Sequence, residues 1–379
     1  MTAGRNPFHY GTPVEGKNFA GRRAELDALV ERMRNGVSVV LLSPRRYGKT
    51  SLLRRAELEL SGDRPAPAVI EVNVLRCGDV ATLAGRLASA AYRTPGGRWH
   101  RVRSALPDFV RRLRVSPEVT FDADGRPVFS FSPALAPKAA DDVIADVYAI
   151  LASQADERAA VLVLDEFQAV IRLGSHLPDL LKGLADEYPA VVLVLAGSKR
   201  HMMERLVVSS EAPLYGMAQR MFLGPIPSDV MNAHLVERAS TGGKHLSAAV
   251  AAVIVALAGP VPNDIQRLAF EAYGVAGDTI DEGAVSAGMA AGVAHEAAQY
   301  SERFAELSGT QARVLVALAG YDRSPTFSAE FARTVGAANA SSVKRAIDAL
   351  EMKELVVERD RLWVPSDPFL AAWLRGAGA

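Results

Sequence analysis

The chain predicts an α/β protein with a mainly parallel sheet built around a phosphate-binding loop, followed by a helical domain and a C-terminal winged helix. Three observations predict it. An apolar run, a basic turn ending in Gly-Lys-Thr and an amphipathic stretch follow one another from Val37 to Leu60. Strand-like and helix-like segments then alternate as far as Ser198, which implies a parallel sheet with helices on both faces. After Pro227 strand signals vanish until a ribbon-like run, Val356-Val-Glu-Arg-Asp-Arg-Leu-Trp-Val364, near the end.

Size and composition set the frame. A length of 379 residues exceeds the roughly 250–300 at which one core stops growing, so two or three domains are expected. Hydrophobic residues make up 49% and charged residues 23%, an ordinary globular balance. Basic and acidic residues number 43 each, which excludes a polycationic field over the whole molecule but leaves room for a local basic patch. The single cysteine, Cys77, cannot form an intrachain disulfide and reads as a packing residue. Met1 to Gly21 is polar and rich in Gly and Pro, unlike a secretory signal. The most apolar stretch, Leu246 to Ala258, falls short of the about 20 residues a membrane span needs, so it is expected to be a buried helix. A soluble, cytoplasmic protein without a membrane partner is the resulting expectation.

Asn6-Pro-Phe and Thr12-Pro-Val are extended or turn signals. Leu26, Leu29, Val30 and Met33 recur at helical spacing over Arg22 to Arg34, and Asn35-Gly36 ends that helix. Strands are expected at Val37–Leu42, Ala68–Val74, Ala160–Leu164 and Ala190–Leu195. Helices are expected at Thr50–Leu60, Val80–Tyr92, Asp141–Gln154 and Leu177–Tyr188. Between them, Arg93 to Ala140 reads as an insertion holding a β-hairpin around Asp124-Gly125. Ser228 to Ala294 reads as wholly helical, broken at Pro260 and Pro262. Helices at Glu302–Ala319, Ser328–Val335 and Ser341–Leu355 precede the ribbon. The expected divisions are 1–36, 37–225 with its insertion at about 93–140, 226–300 and 301–379.

The chemistry centres on Ser43-Pro44-Arg45-Arg46-Tyr47-Gly48-Lys49-Thr50-Ser51. It matches G-x-x-x-x-G-K-[ST] at every fixed position but the first, where Ser43 stands for glycine. Gly48 lets the backbone approach phosphates without a Cβ, and N–H groups at the start of a helix point at the anion. Lys49 adds a point charge near the β- and γ-phosphates, and Thr50 offers a hydroxyl to Mg²⁺. A chance basic turn is the competing reading; the strand before it and the helix after it count against that.

The second signal is Val161-Leu-Val-Leu-Asp165-Glu166. Asp165 would hold the metal, and Glu166 would orient and polarise the attacking water. Ser198, closing Val191-Val-Leu-Val-Leu-Ala-Gly-Ser, could sense the γ-phosphate or the water. Solvated strand-end acids and an ordinary turn are the bland alternatives for these two.

Asn6-Pro-Phe, Tyr10-Gly, Phe19-Ala-Gly-Arg22, Glu25-Leu26, Ser43-Pro-Arg-Arg-Tyr-Gly-Lys-Thr-Ser51, Leu164-Asp-Glu-Phe-Gln168 and Ala196-Gly-Ser198 occur in that order. This set resembles the prokaryotic and archaeal AAA-like P-loop ATPases of the STAND class (signal-transduction ATPases with numerous domains), which are similar to replication-initiator ATPases of the Orc/Cdc6 type. The resemblance implies an AAA+/STAND-like P-loop NTPase core, a helical lid, ATP rather than GTP, Mg²⁺ and slow hydrolysis. It also implies that Gly21 and Arg22 contact adenine, and that a Gly-x-Pro motif in the lid approaches the nucleotide. Pro262 fits that motif, with Pro260 standing where glycine is expected.

In the C-terminal part, Val343, Ala346, Ile347 and Leu350 form the inward stripe of a recognition-type helix. Ser341, Ser342, Lys344 and Arg345 could face a double-stranded DNA groove or backbone, with Arg359 and Arg361 on the wing. Solvated residues of a protein-interaction domain are the equal alternative, since Asp348, Glu351 and Glu354 share the helix. Trp363, Phe369 and Trp373 are expected to pack the domain. The leading expectation is a conformational-switch ATPase. An initiator-type DNA-binding protein gated by ATP and a nucleotide-stabilised scaffold for a protein partner, with little hydrolysis, are the alternatives.

Overall fold

The computed structural model describes residues 6–93, 106–132, 134–155, 159–320 and 326–377. The chain divides into two compact units: a core unit, Arg22–Gly224, and a C-terminal unit that joins the N-terminal segment up to Gly21 to Pro225 and everything after it.

The core unit is an α/β layer structure. In chain order its elements are α1 (Arg23–Arg34), β1 (Val39–Leu42), α2 (Lys49–Ser61), β2 (Val69–Asn73), α3 (Val80–Arg93), α4 (Leu106–Arg111), β3 (Glu118–Phe121), β4 (Pro127–Ser130), α5 (Pro137–Ala152), β5 (Ala160–Asp165), α6 (Val170–Leu173), α7 (Leu177–Glu187), β6 (Val191–Gly197), α8 (Arg200–Met203) and β7 (Gln219–Phe222). The main sheet is five-stranded, in the order β2-β5-β6-β1-β7, and every pairing in it is parallel. β5 and β6 are buried along their whole length, as strands covered on both faces must be, which is why they read as unbroken apolar runs.

β7 was not expected from the sequence. Gln219-Arg-Met-Phe lies at the sheet edge beside β1, mostly exposed, with Phe222 at 59% exposure, so it carries no apolar alternation to read. The expected hairpin is present: β3 and β4 pair antiparallel around Asp124-Gly125. It rests on α3, where the Phe129 backbone N–H donates to Ser89 Oγ at 2.9 Å and the Phe129 ring meets Tyr92 and Phe109. Positions 94–105 and 133 of the expected insertion lie outside the described residues.

The C-terminal unit begins with α9 (Ser228–Thr241), β8 (His245–Leu246), α10 (Ala248–Ala258), α11 (Pro262–Val275), β9 (Thr279–Ile280) and α12 (Glu282–Ala305). It continues with α13 (Gly309–Gly320), α14 (Ala329–Thr334), α15 (Ala340–Met352), β10 (Val356–Arg359), β11 (Leu362–Pro365) and α16 (Pro368–Ala377). The stretch expected to be wholly helical contains a two-residue parallel bridge, β8 to β9. Asn6-Pro-Phe is an anchor: Asn6 Nδ2 donates to the Phe270 carbonyl at 2.9 Å, and Phe8 is buried edge-on to Tyr273.

Two helix expectations need correction, and one helix was not foreseen. The run Leu246–Ala258 is not buried all round. Ala251, Ile254 and Ala258 face inward, while Leu257 is 50% exposed. The helix read over Glu302–Ala319 is two helices, because Ser308 and Gln311 form a reciprocal cap that starts α13 afresh. α16, introduced by Pro368 at a position where a missing N–H costs nothing, was not anticipated. The inward stripe of α15 is as expected: Val343, Ala346, Ile347 and Leu350 are buried. Phe369 is buried, Trp363 packs half-buried against the core, and Trp373 meets Tyr300 and Phe304. No helix among the described residues is long and apolar enough to cross a membrane.

Candidate nucleotide site

The strand ends β1, β5 and β6 stand side by side in the sheet, so the residues that follow each of them meet at its carboxyl edge. β1 runs into Ser43. Ser43 is buried, its N–H donates to the Gly197 carbonyl at 3.2 Å, and its hydroxyl turns to the Pro44 carbonyl. It does not adopt a positive φ, so a serine replaces glycine there without backbone strain. The left-handed positions of the loop are instead Arg46, at φ 68°, and Gly48, at φ 88°. Gly48 is the N-cap of α2, and no atom outside its neighbours lies within 4 Å of where its Cβ would be. That leaves open backbone at a helix start, the geometry suited to an anion. Arg45 and Arg46 are exposed, Pro44 and Thr50 half-buried, and Tyr47, Lys49 and Ser51 buried.

Lys49, from the first turn of α2, reaches across to the end of β5. Its ammonium pairs with Asp165 Oδ1 and, at 3.1 Å, with Glu166 Oε1. The Thr50 hydroxyl lies 3.4 Å from Asp165 Oδ2. Two oxygens on adjacent positions of an octahedral Mg²⁺ at about 2.0–2.1 Å stand about 2.9 Å apart, and this ion prefers one or two protein oxygens, with water and phosphate for the rest. A hydroxyl and a carboxylate already near that spacing fit such an ion. The described residues hold no cluster of three or more His, Cys, Asp or Glu that would suit an all-protein cage.

Glu166 sits at φ 52°, turned back from the strand axis. Its Oε2 accepts from Ser198 Oγ at 2.8 Å and from Gln168 Nε2. Burial alone would raise its carboxyl, but the Lys49 ammonium and the hydrogen bonds from Gln168, Ser198 and Lys49 outweigh it and hold the group below its ordinary range. Glu166 is therefore ionised at neutral pH. The reading of the sequence gave Gln168 no role. The side chain is buried, its amide nitrogen also lies 3.4 Å from Ser198 Oγ, and its Oε1 has no partner among the described residues. Its signal was a polar residue two positions after Glu166 in an otherwise apolar stretch. Glu71, on the neighbouring β2, was also passed over. Burial first, then the charge of Asp165, raises its carboxyl.

Arg22 is buried and left-handed, with φ 65°. Its guanidinium pairs with Glu25 at 2.8 Å, donates to the Tyr47 carbonyl at 3.3 Å and bonds the Gly224 carbonyl. In this structure it braces the phosphate loop. Gly21, at φ 58°, belongs to the C-terminal unit, where a Cβ would press on Ile226 and Val230 at 3.1 and 3.2 Å. Pro262 opens α11 in the same unit. The structure thus brings together Lys49, Thr50, Asp165, Glu166 and Ser198 within the core unit.

In α15, the Asn339 side chain caps the helix through the Ser342 N–H at 3.0 Å, and Arg345 leans on Ser342 Oγ at 3.2 Å. Ser341, Lys344 and Arg345 are exposed. The β10–β11 turn is two residues, Asp360 and Arg361, both at positive φ; it presents Arg361 at the tip, while Arg359 is half-buried and donates to the Ser366 carbonyl at 3.4 Å.

Comparisons with known proteins agree with this architecture. Residues 298–376 match the family model described as a probable winged helix domain. A Walker-type ATPase of Pyrococcus abyssi superposes with a TM-score of 0.64 at 20% identity, over 97% of this chain and 99% of that one. The ORC2 protein of Aeropyrum pernix superposes in its ADPNP–ADP complexes with a TM-score of 0.50 at 14% identity, over 98% of each chain. Its ADP form gives 0.50 at 15% identity, over 99% of each. No curated protein matches significantly. At these identities the likeness is one of fold: a mainly parallel P-loop-type core with a winged helix at the C-terminus.

Proposed function

We infer that this protein binds Mg-ATP in the core unit and hydrolyses it slowly, using the cycle to switch conformation. One observation carries the reading: Lys49, Thr50, Asp165 and Glu166 converge at the carboxyl ends of adjacent strands, beside an open loop with Gly48 at a helix N-terminus. The fold neighbours include one whose structure holds ADPNP and ADP, which supports an adenine nucleotide. Gly21, Arg22 and Pro262 are the proposed adenine-side contacts.

The division of labour follows from chemistry. A bound magnesium ion would neutralise phosphate charge. Thr50 and Asp165 would hold it, and Lys49 would exchange its carboxylate partners for phosphate oxygens. Glu166, ionised and steered by Ser198 and Gln168, would align a water and take up its proton. Phosphate release from ATP measured with Mg²⁺ and with chelator tests this; equal rates in both would sink it.

A Gly197→Ala substitution probes the steering directly. A Cβ there would collide with the Met203 sulfur and lie 2.8 Å from Gln168 Oε1. Displacing Gln168 misaligns Glu166, so turnover should fall about 10–100-fold. Single-turnover rates check this, with a melting curve to confirm folding.

The second reading is DNA binding through the winged helix, favoured by Ser341, Lys344, Arg345 and Arg361 lying exposed on α15 and the wing tip. If they meet phosphates, Lys344→Ala plus Arg345→Ala should lower the slope of log affinity against log salt by about 2. A mobility-shift titration at several salt concentrations reads it. No shift at low salt leaves the winged helix as a surface for a protein partner.

A further inference from the structure

The C-terminal unit contains a buried positive charge that the nucleotide reading does not use. Among the described residues the buried arginines are Arg22, Arg238 and Arg267. Arg22 pairs with Glu25, and Arg267 pairs with Glu296 at 2.9 Å and Asp367 at 3.6 Å. Arg238 is 5% exposed and pairs with no carboxylate among the described residues. Among the described residues its guanidinium makes one hydrogen bond, a long one from Nη1 to Asn18 Oδ1 at 3.4 Å, and its buried Nε has no partner. A guanidinium cannot shed its proton, so a buried one calls for an anion.

The hollow beside Arg238 is lined by further positive charge and no acid, while Lys17 also borders a second hollow that carries Asp229 and Glu237. Arg238 lines a cavity of about 350 Å³ together with Lys17, His9, Asn18 and Thr241, walled by Pro7 and Gly242. The wall is fixed in place: Asn6 is tied to the Phe270 carbonyl, and Pro7 packs so closely that a Cβ on Gly242 would lie 2.7 Å from it. Arg238 lies in the last turn of α9, where the helix dipole offsets part of its charge without giving its guanidinium a hydrogen-bonded anion. The backbone carbonyls of Glu237, Arg238 and Ala239 already accept from Thr241 Oγ1 and from the Gly242 and Lys244 N–H groups. His234, one turn before Arg238, is kept from becoming a cation, first by burial and then by the Arg238 charge. The guanidinium nitrogens at the floor, with an ammonium and an imidazole at the walls, suit a group with several oxygens and more than one negative charge. A single carboxylate would leave much of that charge unanswered.

We propose that the cavity floored by Arg238 and lined by Lys17 and His9 binds the phosphate group of a small phosphorylated molecule, at a site separate from the phosphate loop. The hollow is open to solvent, which suits a ligand held mainly by its phosphate group.

The test is equilibrium dialysis of radiolabelled inorganic phosphate against the full-length protein carrying Lys49→Ala, so that the phosphate loop contributes little. Saturable binding is expected. Adding Lys17→Ala, an exposed position that leaves the fold intact, should weaken it about fivefold. Adding Arg238→Gln should weaken it by about tenfold or more. Should Arg238→Gln fail to fold, Lys17→Ala with His9→Ala decides, since neither side chain is buried. Absence of saturable binding in the Lys49→Ala protein, or binding undiminished by the Lys17 and His9 changes, overturns the proposal. Acetate competing as well as phosphate overturns the assignment to phosphate. None of these outcomes depends on ATP hydrolysis, so the site and the nucleotide reading stand or fall separately.

Discussion

Lys49→Ala is expected to weaken ATP binding by about 10–150-fold, the equivalent of a charge-assisted hydrogen bond of about 1.5–3 kcal/mol. The structure adds a second effect. Lys49 is the ammonium that stands between Asp165 and Glu166. Removing it leaves two adjacent carboxylates, one of them fully buried, with no other cation paired to them among the described residues. Breaking a buried pair by taking one partner costs about 3–5 kcal/mol where the survivor cannot reach water. Glu166 is more accessible than Asp165, so the loss should sit toward the low end of that range. The variant should therefore melt earlier than wild type without nucleotide. Titration calorimetry reads the first effect and a thermal melt the second. Unchanged affinity for ATP in a folded variant would remove the basis for placing a triphosphate here.

Glu166→Gln separates binding from turnover. Glutamine keeps the shape and can still accept from Ser198 and Gln168, but it cannot take a proton. Turnover should fall about 10²–10⁴-fold, the usual contribution of a positioned general base. Affinity should change far less, because the group meets water rather than nucleotide. The lowered carboxyl of Glu166 gives this prediction a pH signature. The basic form persists as pH falls in the free enzyme, where Lys49 still pairs with Glu166, so the acid limb of the wild-type kcat/KM profile should lie below the ordinary glutamate value. A variant that turns over at the wild-type rate would show that Glu166 does not handle the water.

The core of the fold was legible because its signals are local. The apolar runs Val161–Leu164 and Val191–Ala196 are short and rich in β-branched valine, which favours covered strands over helix, and the loop between β1 and α2 carries its glycine and lysine at fixed spacing. What escaped notice depends on tertiary context. β7 is a strand only because β1 offers it a partner. Gln168 matters only because the turn after β5 swings it beside Ser198. The role of Arg22 as a brace could not be read locally, since Tyr47 and Gly224 are remote in sequence. The splitting of α13 from α12 was present in the sequence as Ser308 and Gln311 at capping distance, and simple periodicity overran it. In the loop, Ser43 was tolerable for a reason no spacing rule states: the positive φ falls on Arg46 instead.

Arg22 and Gly224 are the two ends of the core unit, and one guanidinium holds the carbonyl of the second end together with the carbonyl of Tyr47. The polypeptide thus enters and leaves this unit at a single knot, tied to the residue next to Gly48. A shift of the loop backbone would pull on both chain exits through this one side chain, whereas β5 and β6 are held by packing on both faces. An Arg22→Met chain would keep its sheet and untie the knot.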